Sequence, residues 1–339
     1  MTLKVAVIGG GVMGHHHCRV YSEMDNVELV ALADPDTVVC SRIANTYRPR
    51  VYGDYREMLD RERPDLASIA VPTSLHVEVA CETLSRGVHV LVEKPLALTV
   101  DEGRVIIDAA RKFDVKLSVG HIERFNPAIV EVRRRLREAE LGPIFQVQAR
   151  RVSPFPGRIQ DVGVILDMAT HDIDVIRHLV GSEVERVYAE TATVSHGSQE
   201  DLLSATLRFA SGVIGVLDVN WLTPAKTRQL SVLGEGGMYL LDYLTQDVYW
   251  YKNSAITDSW ESLSVFRGAT EGDMVRVHFK KTEPLRAELE AFVTAVQDDL
   301  EPQVNGMDAL VAVDLSLTLA ESGRLNLPLT PRLVREGVR

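Results

Sequence analysis

The chain has 339 residues, enough for two domains at about 150 residues each. Its 45% apolar and 25% charged residues are a globular composition, which excludes a disordered chain, a collagen-like fibre and a disulfide-dense secreted module. A net charge of −11 argues against general nucleic-acid or membrane-surface binding, and no apolar run approaches the roughly 18 residues of a membrane span. Cys18, Cys40 and Cys81 are scattered without C-x-x-C spacing, so neither a disulfide framework nor a metal site is expected, and a reducing cytoplasm is.

Along the first 120 residues, short apolar runs at 4–8, 28–33, 66–71, 88–92 and 116–119 alternate with helix-length segments such as 12–24, 76–85 and 101–113. That alternation predicts a doubly wound parallel sheet with its ligand crevice at the strands' carboxyl ends. Beyond Gly120 the rhythm changes. A helix is expected over 127–140, with Asn126 as N-cap and Pro127 at its first position, then a strand over 144–150. A Pro- and Gly-bearing loop over 153–163 leads to a helix over 165–180 that ends at Gly181. Strand-like runs then follow one another from 187 to 251, with Ser211-Gly212 suggesting a hairpin, before helices over 285–296 and 307–319. Strands without intervening helices imply an antiparallel sheet. The reading is therefore a dinucleotide-binding α/β domain over 1–120 and an α+β substrate-binding and oligomerisation domain over 121–339.

Gly9-Gly10-Gly11-Val12-Met13-Gly14 fits G-x-G-x-x-G between a strand and a helix, and Asp34 ends the next strand 20 residues further on. Gly9 permits the turn, Gly11 admits a pyrophosphate to the backbone, and Gly14 allows close helix packing. Val12 and Met13 then open a helix whose free N–H groups face the phosphates. A carboxylate at Asp34 suits the ribose hydroxyls of NAD and repels the 2′-phosphate of NADP.

Glu93-Lys94-Pro95 follows the strand over 88–92, where a Lys can hydrogen-bond a substrate hydroxyl or stand as a solvated turn residue. Asp167 and His171 are four apart on a predicted helix, so they form either an oriented general base or an ordinary surface pair. His76 can face a nicotinamide or serve the fold. His121 is open in the same way.

In this order, with Pro72-Thr73-Ser74, Gly163 through Asp174, Glu200-Asp201, Gly234 to Gly237 and Glu321-Ser322, the elements resemble the Gfo/Idh/MocA oxidoreductase family over nearly the whole chain. The resemblance implies an NAD-dependent dehydrogenase that oxidises a sugar hydroxyl to a ketone, with Lys94, Asp167 and His171 catalytic. It also implies Pro72, Thr73, His76, Glu93 and Lys94 beside the cofactor. The stretch from Gly120 to Pro127 looks like that of family members acting on UDP-N-acetylglucosamine at C3. That would put His121, Arg124, Asn126, Arg151 and Arg158 near the sugar or diphosphate, where an Arg fork suits two phosphates. Arg124 can equally pair with a carboxylate while Asn126 caps a helix. A free polyol or monosaccharide remains an alternative substrate, and a dinucleotide-bound sensor a non-enzymatic one.

In the strand-rich region, Leu203, Ala205, Leu207 and Phe209 share one side, as do Val213, Leu217, Val219 and Trp221. Ile214 and Val216 fall on the other side, so a homodimer or homotetramer through an open sheet face is expected.

Overall fold

The computed structural model describes residues 2–156, 162–195, 199–253 and 271–337, in two compact units. The first is built on the strands β1 (Leu3–Ile8), β2 (Val27–Ala33), β3 (Arg50–Tyr52), β4 (Leu66–Ile69), β5 (His89–Val92) and β6 (Leu117–Val119), apolar and largely buried apart from β3. They lie parallel in the order β3-β2-β1-β4-β5-β6. Five helices alternate with them: α1 (Val12–Ser22), α2 (Thr37–Tyr47), α3 (Tyr55–Glu62), α4 (His76–Leu84) and α5 (Val100–Lys112). Local chemistry starts several of these helices. Asp36 and Asp54 accept the first amides of α2 and α3, and Thr99 with Glu102 forms a reciprocal capping box at α5. The strand order reverses between β1 and β4, which opens a crevice at their carboxyl ends. The expected α/β fold is present. The three-residue edge strand β3, half exposed and too short to show a pattern, adds to it.

The second unit holds α6 (Pro127–Arg137), β7 (Ile144–Pro154), α7 (Thr170–Val180), β8 (Val184–Ala192), β9 (Leu202–Phe209), β10 (Ile214–Asn220), β11 (Leu222–Gly234), β12 (Gly237–Asp242), β13 (Asp247–Asn253) and β14 (Glu271–Arg276). Eight strands form one sheet in the order β14-β13-β12-β11-β7-β10-β9-β8, antiparallel except for the β7–β10 pair. The hairpin expected at Ser211-Gly212 joins β9 to β10, with Gly212 at φ +89°. Leu203, Leu207, Phe209, Leu217 and Val219 are all at most 1% exposed, whereas Ile214 on the other side is 38% exposed. Arg150, Asp218 and Gln148 share the face of Ile214, so that face is mixed rather than uniformly apolar.

The chain then returns. The helix α8 (Pro284–Gln297) and the first half of α9 (Gly306–Leu325) belong to the first unit, and the rest of α9 with α10 (Arg332–Arg335) to the second. The first unit is therefore 1–125 with 283–314, and the second 126–282 with 315–339. This differs from the single boundary expected after residue 120. The reason lies in packing: Leu285, Leu289, Phe292 and Val293 of α8 complete a core with Val5, Cys18, Tyr21, Leu32 and Leu66. Local periodicity cannot show which distant surface a helix covers.

Candidate active site

Close approach explains the glycines after β1. Gly9 has φ +97°, and a β-carbon there would stand 2.5 Å from the Ala70 carbonyl oxygen. On Gly14 it would stand 1.8 Å from the Gly9 oxygen, so helix and turn meet backbone to backbone. Beside Gly11 the space is open, and the first turn of α1 is capped by no side chain. Asp34 closes the cradle: one carboxylate oxygen accepts the Gly10 amide at 2.6 Å and the other the Asp36 amide at 2.8 Å. Val12 is 57% exposed and Met13 half-buried beside this turn. Pro72 and Thr73 follow β4, where Thr73–Leu75 makes one tight turn. These features fit a dinucleotide, with pyrophosphate at the α1 N-terminus and ribose at Asp34.

Glu93 and Lys94 leave the carboxyl end of β5. Lys94 is partly exposed, whereas the Glu93 carboxylate is buried and bonded to His17 Nε2 at 3.1 Å. Burial alone would raise the Glu93 carboxyl, but the hydrogen bond and charge of His17, with Lys94 beside it, bring it below the ordinary carboxylate range. Its second oxygen accepts the Lys94 amide at 3.2 Å and lies against Gly120. Glu93 thus anchors the backbone of Lys94 from behind. His76 is 1% exposed, with Nδ1 3.0 Å from the Pro95 oxygen and Nε2 3.1 Å from the Val71 oxygen. Burial lowers its pKa despite these contacts. Its ring links the turn after Lys94 to the loop after β4, as the structural one of its two expected roles requires.

Asp167 and His171 lie where a wide turn joins a helix. The turn Ile165–Ala169 has π geometry, with the Thr170 amide bonded to the Ile165 carbonyl five residues back, before α7 resumes the ordinary pitch. A single uninterrupted helix was expected over 165–180. Such turns occur mostly as insertions in α-helices and are frequent at functional sites. Gly181 ends α7 in the left-handed conformation, as expected. Glu200 holds the start of the turn: its carboxylate accepts the Ile165 amide at 3.2 Å and its carbonyl the Val164 amide at 2.9 Å.

Of the basic residues expected near a diphosphate, Arg124 and Arg151 each pair with a carboxylate. Arg124, 8% exposed, donates to Asp308 at 3.0 Å and to the Gln303 carbonyl at 3.4 Å. Asn126 caps α6 through the Ala128 amide at 3.1 Å and donates to the Tyr243 carbonyl. Arg151, 1% exposed, forks onto Asp172 at 2.7 and 3.1 Å with its guanidinium over the Tyr243 ring. Burial and a carboxylate partner place Arg151 in the interior rather than in an open anion site. His121 is 1% exposed as well. Arg158 lies outside the described residues. Trp221, 3% exposed, packs edge-on against Phe155.

The sequence alone assigns no role to Glu200, Thr170 and Ser316 of the second unit, which surround the Asp167 turn, or to His17 of the first, which holds Glu93. Only Gly163, pressed against Glu200, offered a local signal for any of them. Among the described residues, no group of three or more His, Cys, Asp or Glu side chains could hold a metal ion.

Comparison with known proteins agrees with this geometry. The oxidoreductase family with an NAD-binding Rossmann fold matches residues 3–121, and the GFO/IDH/MocA C-terminal domain matches 129–240. A UDP-N-acetylglucosamine 3-dehydrogenase of Acidithiobacillus ferrooxidans is 28% identical over 87% of this chain and 88% of its own. The scyllo-inositol 2-dehydrogenase (NAD(+)) of Bacillus subtilis is 25% identical over 96% of this chain and 95% of its own. A solved structure of UDP-N-acetylglucosamine 3-dehydrogenase from Acidithiobacillus ferrooxidans superposes with a TM-score of 0.84 at 25% identity, covering 95% of this chain and 97% of the other.

Proposed function

This chain belongs to the Gfo/Idh/MocA family of oxidoreductases, with an NAD-binding Rossmann domain, and we propose on that premise that it oxidises a secondary hydroxyl of a sugar in an NAD-dependent reaction. The observation that carries the reading is Asp167 on the wide turn with His171 in the first turn of α7, in a chain that also carries Lys94 at the end of β5. NAD, held at the Gly9–Gly14 turn and Asp34, would supply the hydride acceptor for the substrate carbon. His171 takes the hydroxyl proton, and Asp167 orients the imidazole and supports its cationic form. Lys94 donates to the same oxygen and stabilises charge that develops as its proton leaves. Glu93, held by His17, keeps the Lys94 backbone in place. The Asp34 carboxylate favours NAD over NADP.

The leading substrate is UDP-N-acetylglucosamine, oxidised at C3, on the strength of the 28% identical relative with that activity. A free polyol or monosaccharide is the second reading. The pairing of Arg124 with Asp308 and of Arg151 with Asp172 favours it, because these two of the three guanidiniums expected at a diphosphate are occupied. Purified protein mixed with NAD and either UDP-N-acetylglucosamine, myo-inositol or glucose decides the matter through absorbance of reduced cofactor. Reduction with the nucleotide sugar alone supports the first reading, reduction with a free polyol or monosaccharide the second, and reduction with none of them the sensor. Three free thiols suit a reducing cytoplasm, and no described helix is long and apolar enough to cross a membrane. Self-association is proposed through the sheet face that carries Ile214.

A further inference from the structure

The wide turn that carries Asp167 needs something to hold it, because a π turn is rare where the tighter α-helical bond is open to the same backbone. The Thr170 side chain, 0% exposed, sits at the junction. Its hydroxyl lies 3.0 Å from the Leu166 carbonyl oxygen, 3.3 Å from the Ile165 oxygen and 3.1 Å from the Ser316 hydroxyl. One hydroxyl carries one proton, so when Thr170 donates to a carbonyl, Ser316 donates to Thr170. The Thr170 hydroxyl thus ties Ser316 of α9 to the Leu166 carbonyl and to the Ile165 carbonyl, which also accepts the Thr170 amide that closes the turn. Glu200 grips the other end of the same turn through the Ile165 amide. Asp167 lies between these two holds, and His171 directly follows Thr170.

We propose that Thr170 is a positioning residue: its hydroxyl, supplied by Ser316, holds the wide turn that sets Asp167 against His171. Removing that hydroxyl takes a donor from the part-buried Leu166 carbonyl, leaves the Ile165 carbonyl with the Thr170 amide, and favours the α-helical pitch. Loss of the extra residue from the turn carries Asp167 around the helix by up to about 100° relative to His171. The catalytic consequence rests on the dehydrogenase reading above. The geometric one does not.

The test compares Thr170→Val, which keeps the shape, with Thr170→Ser, which keeps the hydroxyl, and with Ser316→Ala. In each variant the His171 imidazole is titrated by NMR, exchange of amides 166–171 is followed, and kcat and KM are measured. Thr170→Val is expected to move the imidazole pKa by at least about half a unit and to speed amide exchange. Its kcat should fall at least about tenfold with KM for NAD unchanged, and Thr170→Ser should restore both readouts. Ser316→Ala should move the same readouts by less. A Thr170→Val protein with the wild-type titration and exchange overturns the proposal. If Thr170→Val does not fold, a Ser316→Ala protein with the wild-type titration overturns it instead. Wild-type protein that reduces no NAD with any sugar defeats the dehydrogenase reading alone, since titration and exchange still decide the role of Thr170.

Discussion

The Glu200 carboxylate occupies the space where a side chain on Gly163 would begin: a β-carbon there would stand 2.0 Å from Oε1. The same carboxylate accepts the Ile165 amide, so the absent side chain of one residue and the acceptor of another together hold the turn of Asp167. Gly163→Ala is therefore expected to expel Glu200 from its place. Thermal unfolding should report a loss of about 1–3 kcal/mol, the usual cost of overpacking. Turnover should drop with it, and a variant of wild-type stability and rate would refute the account.

Acid–base chemistry predicts a different pattern for the side chains proposed to meet the substrate. Lys94→Ala and His171→Ala should each cut turnover by about 10²-fold or more. NAD affinity, measured by calorimetry, should stay close to wild type, because neither residue belongs to the Gly9–Gly14 turn. Normal turnover in either variant removes that residue from the mechanism.

Cofactor choice is proposed to rest on Asp34, whose two oxygens are set by the Gly10 and Asp36 amides. Reversing its charge with Asp34→Arg should weaken NAD and improve relative use of NADP, read as the ratio of kcat/KM values. Equal wild-type efficiency with both cofactors contradicts the assignment.

Glu288 offers a pH prediction. Both of its carboxyl oxygens are buried without a hydrogen-bond partner among the described residues. Burial, then repulsion from Glu93 and Glu123, raises its pKa well above 4.5. The folded protein therefore binds this proton more tightly than the unfolded chain. Its stabilising effect is complete below about pH 4.5 and fades as pH rises toward the folded value, at about 1.4 kcal/mol per pH unit. Glu288→Gln removes that dependence. Its melting temperature should exceed wild type at pH 8, and the gap should close toward pH 4.5. A gap that is constant or widens in acid is the contrary result.

Arg151 and Asp172 form a buried pair, so removing one partner strands the other charge. Arg151→Ala should destabilise the protein by about 3–5 kcal/mol, and Arg151→Lys should recover only part, because an ammonium cannot fork onto both oxygens. Urea denaturation measures both. An Arg151→Ala protein of wild-type stability but raised KM for a nucleotide sugar would restore the substrate role first expected of this residue.

What could be read directly from the chain was local. Gly9 to Gly14 and Asp34 act through turns and short spacings, and the alternation of buried strands with capped helices is written within windows of a few residues. The hairpin at Gly212 belongs to the same class. Arg124 was ambiguous because its partner Asp308 lies 184 residues away. Thr170 meets Ser316 across 146 residues, and Glu200 reaches Ile165 across 35. His76 looked suited to a cofactor because it follows a strand, yet which way its ring turns depends on the carbonyls of Val71 and Pro95. Side chains whose meaning comes from a distant partner carry no periodic signature.

The return of residues 283–314 to the first unit has a consequence for how this chain emerges from the ribosome. When residue 125 has left the exit tunnel, the apolar surface of Tyr21, Leu32 and Leu66 still lacks Leu285, Leu289 and Phe292. The dinucleotide-binding half is translated first, but its last segment, 283–314, begins to emerge only after 157 further residues (126–282) have been added. At about 5–20 residues per second, that interval lasts on the order of ten seconds or more, during which the nascent surface is open to chaperones. A fragment ending at 125 should bind hydrophobic dyes and aggregate, and the segment 283–314 supplied as a peptide should quench both.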